Sequence, residues 1–79
     1  MKITIGDRII RTRAADLAPQ FAVARAIERL YGRGAFMRPR DGERWSGNGH
    51  TFQGYVDVYR SIPRSTSDEL VAEHICISV

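Results

Sequence analysis

The stretch DLAPQFAVARAIERLY, residues 16–31, decides the fold of this chain. When these residues are spaced at about 100° around a helix axis, Arg25 and Arg29 fall on one side and the apolar side chains on a broad arc opposite. The stretch therefore predicts the only substantial helix of the chain, with one buried face. The side chains predicted to form that face are Leu17, Phe21, Val23, Ala24, Ile27, Leu30 and Tyr31.

Both ends of the predicted helix carry sequence signals. Asp16 suits the N-cap position, because its carboxylate can accept the free amides of the first turn. Pro19 follows within that turn, where a missing N–H loses no intrahelical hydrogen bond. Gly32 suits the position just after the C-terminus. One helix cannot bury its own apolar face, so the rest of the chain must supply a sheet.

Length and composition limit the class of protein. The 79 residues are enough for one domain, spanning residues 1–79. The chain has no run of about 18 apolar residues, so no transmembrane helix is predicted, and its first residues lack the apolar core of a signal peptide. The single cysteine, Cys76, excludes an intramolecular disulfide and a multi-cysteine zinc site. We expect a cytoplasmic protein that needs no cofactor and contacts no membrane.

A hairpin is predicted before the helix. Lys2–Ile5 and residues 8–13 flank a two-residue Gly6-Asp7 turn, in which Gly supplies the positive φ of a tight hairpin. If Ile5 pairs with Arg8, Ile3 faces Ile10 and both point to the helix. The side chains of Ile9, Arg11 and Arg13 then point to the other face.

Three further strands are predicted after the helix, at residues 35–38, 51–60 and 69–79. Pro39 cannot donate to a ladder, so the first of them should end there or lie on an edge, where it offers a place for two copies to pair. The fold class is therefore α+β, with a single helix packed on a mostly antiparallel sheet and the order β-β-α-β-β-β.

Alternation assigns the faces of the last two strands. In the strand at residues 51–60, Phe52, Val56 and Val58 should face the helix. The side chains of Tyr55, Asp57 and Tyr59 should face the open side of the sheet. Gly54 interrupts this strand and indicates a bulge or the close approach of another group. In the final strand the predicted inward residues are Val71, Ile75, Ile77 and Val79, and the outward ones are Ala72, His74, Cys76 and Ser78.

Residues 40–50 hold three glycines and show no apolar periodicity, so they predict a long exposed loop. Gly47-Asn48-Gly49 is not followed by the Lys and Ser or Thr of a phosphate-binding loop, and it is interpreted as part of that loop.

Candidate chemistry in this chain is sparse. His50 beside Arg40 or Arg44 would suit a toxin-like, metal-independent RNase, which we keep as a third hypothesis. His74 and Cys76 lie two residues apart on one strand, but two ligands are too few for structural zinc. We therefore assign no catalytic, cofactor-binding or metal-ligating residue.

Arginines and aromatic residues are interleaved along the chain from the end of the predicted helix into the predicted loop. This composition is typical of single-stranded nucleic-acid grooves and equally of protein-interface hot spots. The net charge of +3 suits an acidic partner or a polyanion; the alternative is that it only keeps a small domain soluble. Within this segment, Trp45 is predicted to be an exposed anchor. The residues of this segment are Arg29, Tyr31, Arg33, Phe36, Arg38, Arg40, Arg44 and Trp45.

The open side of the sheet is a second candidate surface. Tyr55 and Tyr59 flank Asp57 at alternating positions, and tyrosine is enriched at interfaces. An ordinary solvated strand face remains the alternative, since tyrosine has a high β-propensity.

Several short motifs follow one another in an order that resembles the small phage anti-CRISPR proteins acting on type I Cascade complexes. The resemblance is greatest to the type I-E inhibitor group and looser to type I-F inhibitors with the same helix-on-sheet build. The matching features are a hairpin, an Asp-started, Ala-rich helix (Asp16 to Leu30) ended by Gly32, an aromatic-plus-Arg strand (Phe36, Arg38), a Gly42-Glu43 turn, a Ser46-Gly47-Asn48-Gly49 loop, a Phe52-Gln53-Gly54-Tyr55 strand and an apolar C-terminal strand.

This resemblance implies a viral inhibitor that acts in the host bacterial cytosol by protein–protein interaction. It would bind a backbone or large subunit of type I Cascade and block target-DNA binding without catalysis, as a monomer or weak dimer. The positive charge departs from the acidic, DNA-mimicking type of inhibitor. The alternative is a small Arg-rich nucleic-acid-binding domain. The predicted partner-binding residues are Arg38, Arg40, Arg44 and Trp45 in one patch and Tyr55, Asp57 and Tyr59 in another.

Overall fold

Among the described residues, five antiparallel strands form one sheet and a single helix covers one of its faces, as the sequence predicts. The computed structural model describes residues 1–13 and 18–79. The order across the sheet is β2-β1-β5-β4-β3, so β2 and β3 are its edges. The elements are β1 (Lys2–Ile5), β2 (Arg8–Arg11), α1 (Pro19–Tyr31), β3 (Ala35–Pro39), β4 (Gln53–Ser61) and β5 (Asp68–Ser78).

The N-terminal hairpin has the predicted register. Ile5 pairs with Arg8, and Ile3 pairs with Ile10. Gly6 takes a φ of 63° in the turn, a conformation that suits glycine, and its N–H donates to the Cys76 carbonyl at 2.8 Å. That hydrogen bond ties the turn to β5, the central strand of the sheet.

The helix begins at Pro19, with Ala18 at the N-cap position and no side-chain capping hydrogen bond. Asp16, the predicted cap, lies outside the described residues. At the other end, the Arg60 guanidinium donates to the Tyr31 carbonyl, which places a positive charge at the negative end of the helix dipole. No signal in the sequence indicated this contact.

The buried stripe of the helix is narrower than the predicted arc. It consists of Ala22, Val23, Ala26 and Ile27, whereas Phe21 is 56% exposed and Ala24 is also exposed. Two of the four stripe residues are alanines, whose small side chains allow the helix backbone to approach the sheet. The prediction that Phe21 and Ala24 are buried is therefore wrong.

The core lies between the helix and one face of the sheet. Each fully buried aliphatic side chain there stabilises the fold by about 1.5–3 kcal/mol relative to an exposed one. The largest of these side chains are Ile3, Ile5, Val23, Ile27, Val56, Val58 and Ile77.

Two irregularities in β5 change the predicted faces. Val56 pairs with Ile75, Val58 with Ala72 and Tyr59 with Leu70, so β5 carries an extra residue at each step. The prediction that Ala72 points outward is wrong, because Ala72 shares the core face with Val58 and packs against the core. Leu70 instead lies beside Tyr59 on the opposite face and is 47% exposed.

No helix among the described residues is both long enough and apolar enough to cross a membrane.

Candidate interaction surface

Five of the seven residues predicted to contact a partner share the face of the sheet opposite the helix, which we call the open face. The register between β3 and β4 brings them together, because Arg38 pairs with Asp57 and the Arg40 N–H donates to the Tyr55 carbonyl at 3.1 Å. The sequence assigned these residues to two separate patches, but the structure places them on one surface. They are Arg38, Arg40, Tyr55, Asp57 and Tyr59.

A stack of two rings and a guanidinium lies at the β3 side of the open face. The centroids of Phe36 and Tyr59 are 6.1 Å apart and their planes differ by 27°. The Arg38 Cζ atom lies 4.6 Å from the centroid of Tyr59 and 5.3 Å from that of Phe36. Both distances are within the range of cation–π attraction.

Arg38 also donates to the carboxylate of Asp68, at the start of β5. Its side chain remains 55% exposed, so this ion pair adds little to stability. Its effect is to orient the guanidinium over the two rings while leaving its outer surface in contact with solvent.

Asp57 connects β4 to β5 and to the residue that follows β3. Its Oδ1 atom accepts a hydrogen bond from Arg40 Nη1 at 2.8 Å and another from the His74 backbone N–H at 2.9 Å. His74 takes a φ of 56° at the irregularity in β5, a conformation uncommon for a residue with a side chain. Asp57 therefore holds the local backbone and its neighbouring cation, which makes it a positioning residue on this surface.

The bulge places the His74 ring against Tyr55. The two ring centroids are 4.3 Å apart and the planes are nearly perpendicular, at 81°, a favourable aromatic geometry. The sequence correctly placed His74 and Tyr55 on the open face. Together with the stack around Arg38, this pair makes the face a row of aromatic and cationic groups that runs from β3 to β5.

Phe36 and Asp68 belong to this surface but are not among the predicted partner-binding residues. Phe36 is half-buried and pairs with Tyr59 on the open face. Its position two residues before Arg38 on the same strand was the available signal, because alternate residues share a face. No sequence signal indicated the pairing of Asp68 with Arg38.

Arg44 and Trp45 lie apart from the open face, in the loop formed by residues 41–51. Trp45 is half-buried, packs against the core, and has its ring centroid 5.3 Å from that of Phe52. The prediction that Trp45 is an exposed anchor is therefore wrong, since much of its surface is committed to the fold. Together with Arg44, Gln53 and Val79 it borders an open groove of about 590 Å³.

The start of this loop lies against β4 at Gly54. A Cβ atom added at Gly54 would collide with the Glu43 carboxylate, so only glycine allows this approach. The prediction of a close approach at Gly54 is confirmed. The contact fixes the loop on the core side of the sheet, because Gly54 pairs with Ile77, a core residue.

The tip of the loop is held by its own polar groups. Ser46 Oγ accepts hydrogen bonds from the backbone N–H groups of His50 at 3.2 Å and Thr51 at 3.1 Å, and it donates to Asn48 Oδ1 at 2.7 Å. His50 belongs to this tip, whereas Arg40, one of its suggested partners in an RNase site, pairs with Asp57 on the open face.

Within residues 1–13 and 18–79, no group of three or more His, Cys, Asp or Glu side chains is placed to hold a metal ion. Comparisons with protein-family models, with curated proteins and with solved structures find no match to this chain. Its function is therefore argued from the surface itself.

Proposed function

We propose that this chain is a non-catalytic inhibitor that binds a protein partner through the open face. The observation that carries the proposal is the convergence of Arg38, Arg40, Tyr55 and Tyr59 on one exposed surface. Arginine and tyrosine are among the residue types that contribute most to binding hot spots. Their side chains are already oriented by ring stacking and ion pairs, which lowers the entropy lost on binding.

The proposed partner is a backbone or large subunit of type I Cascade, as the resemblance to phage anti-CRISPR proteins implies. The bound inhibitor would occupy the path of the target DNA and exclude the DNA sterically, which requires no catalytic residue. The net charge of +3 suits an acidic patch on that subunit. An interface of standard size would bury roughly 800 Å² on each partner.

The direct test is a pull-down of the tagged protein against purified type I Cascade complexes of several subtypes, followed by a target-DNA band shift. We expect stable co-elution with at least one complex and loss of its DNA binding. The Arg38→Ala/Tyr59→Ala double variant, shown to be folded by circular dichroism, is the matched control and should not co-elute. Failure of the parent to bind any type I complex would refute the proposed partner.

A second candidate function, direct binding of single-stranded nucleic acid, is favoured by the stack itself. Exposed arginine and aromatic planes can stack with bases, and Arg38 lies over both Phe36 and Tyr59. This function predicts oligonucleotide binding without Cascade and an affinity that falls steeply with salt, because counterions are released from the phosphates. A protein-only inhibitor should give no band shift with oligonucleotides alone.

A further inference from the structure

The two edge strands of the sheet differ in the backbone groups that they present. At the β2 edge, Met1 and Thr12 exchange hydrogen bonds in both directions, at 2.7 and 2.9 Å. Because alternate residues of an antiparallel strand bond to the same neighbour, Ile10 and Arg8 also bond to β1. The N–H and C=O groups of Ile9 and Arg11 therefore point away from the sheet, and no described strand pairs with them.

The β3 edge is much less suited to accept another strand. Because the Arg40 N–H donates to the Tyr55 carbonyl, every second residue of β3 before Arg40 also directs its backbone groups to β4. The backbone groups of the residues between them, Ala35, Met37 and Pro39, therefore point away from the sheet. Pro39 has no N–H, and the Ala35 N–H already donates to the Gly32 carbonyl at 3.1 Å. Met37 supplies the outward donor that remains. Strand addition is therefore expected at β2 rather than at β3.

Beside β2, a groove of about 240 Å³ opens between the hairpin and the helix. Its apolar wall includes Ile3, Ile10, Ala22 and Ala26. The groove continues the helix-facing side of β2, so alternate side chains of an added strand would enter it. On the other side of the same edge, Ile9 is 57% exposed.

The surroundings of this edge are strongly cationic. Five arginines surround it, and none of them forms an ion pair with a described residue. They differ in this respect from Arg38 and Arg40, each of which pairs with a carboxylate. Arg8 and Arg11 belong to β2, and Arg13 follows it. Arg25 and Arg29 line the groove from the helix.

We propose that the outer edge of β2 binds an extended, acidic segment of a partner protein by strand addition. The segment would pair with the backbone of Ile9 and Arg11, place apolar side chains in the groove, and set carboxylates beside the arginines. Backbone pairing supplies affinity in this mode of recognition and the alternating side chains supply specificity. A second copy of the chain is disfavoured here, because each copy would bring the same five arginines to the contact.

Fluorescence anisotropy with a labelled peptide of alternating Glu and Val tests this proposal, and the same peptide with Lys in place of Glu is its charge control. We expect saturable binding of the Glu peptide and at least tenfold weaker binding of the Lys peptide. The assay contains no Cascade, and β2 lies at the opposite edge of the sheet from Arg38 and Arg40, so its result is independent of the proposed function.

Ile9→Pro removes the outward N–H without touching the hydrogen bonds between β1 and β2, and proline is tolerated on edge strands. It should weaken binding of the Glu peptide at least tenfold. Ile9→Thr keeps the N–H and should stay within threefold of the parent. If Ile9→Pro does not fold, the Arg11→Glu/Arg13→Glu variant replaces it and should also lose tenfold.

Three results would overturn the proposal. The first is the absence of saturable binding of the Glu peptide at millimolar protein. The second is equal binding of the Glu and Lys peptides, or of Ile9→Pro and Ile9→Thr. The third is self-association of the parent in sedimentation equilibrium that Ile9→Pro abolishes, which would assign the edge to a second copy of the chain.

Discussion

The open face and the loop of residues 41–51 contain the same kinds of residue, yet the fold uses them differently. On the open face, Arg38 and Tyr59 contact each other and remain available to a partner. In the loop, Trp45 packs on Phe52 and the core. The comparison shows that arginine and aromatic composition alone does not identify a binding surface. Strand register and burial decide which aromatic side chains stabilise the fold and which can bind.

Among the substitutions, replacement of Trp45 should have the largest effect on the free energy of unfolding. Trp45→Ala should lower the free energy of unfolding by about 2–3 kcal/mol, somewhat less than for a fully buried aromatic side chain. Urea denaturation measures this loss, and Trp45→Phe, which keeps a ring on Phe52, should lose less than half as much. Partner binding by the folded fraction should be unchanged. Parental stability combined with lost binding would instead make Trp45 a surface anchor.

Asp57 should give the next largest effect, this time on the open face. Asp57→Ala removes the acceptor of the His74 N–H and of Arg40, and we expect a loss of about 2 kcal/mol in the free energy of unfolding. Asp68→Ala is the control. It removes an exposed ion pair from the same face and should cost less than about 1 kcal/mol. Equal losses in the two variants would contradict the positioning role of Asp57.

Gly54 should give the smallest effect, and a double-mutant cycle is needed to resolve it. Gly54→Ala should cost about 1 kcal/mol, because the Glu43 carboxylate is the flexible end of its side chain and can move away. In a Glu43→Ala background the same change should be neutral or stabilising, since alanine suits a strand better than glycine. Fluorescence of Trp45, the only tryptophan, reports on the loop. An equal cost in both backgrounds would show that Glu43 does not hold the loop against β4.

The element order and half of the sheet could be predicted from local patterns. Gly6-Asp7 specifies the hairpin, and with it the pairing of Ile3 and Ile10. Pro39 indicates the edge position of β3, because its missing N–H points away from β4. Alternation in β4 correctly separates Tyr55 and Tyr59 from the core.

The rest depended on tertiary contacts. Strict alternation in β5 gives no sign of two extra residues, so it predicts the wrong face for Ala72. The bulge at His74 is held by Asp57 from a neighbouring strand, a contact far away in sequence. Polar neighbours suggested an exposed Trp45, but its position follows from the packing of the loop on Phe52.

The most direct test of the account measures Cascade binding by single variants on the open face and in the loop. Arg38→Ala and Tyr59→Ala alter the open face, whereas Arg44→Ala removes an exposed arginine from the loop. With all variants folded, we expect the first two to bind at least tenfold more weakly, a loss of about 1.4 kcal/mol, and Arg44→Ala to stay within threefold of the parent. Parental binding by Arg38→Ala and Tyr59→Ala, or an equal loss in Arg44→Ala, would contradict the assignment of the open face as the binding surface.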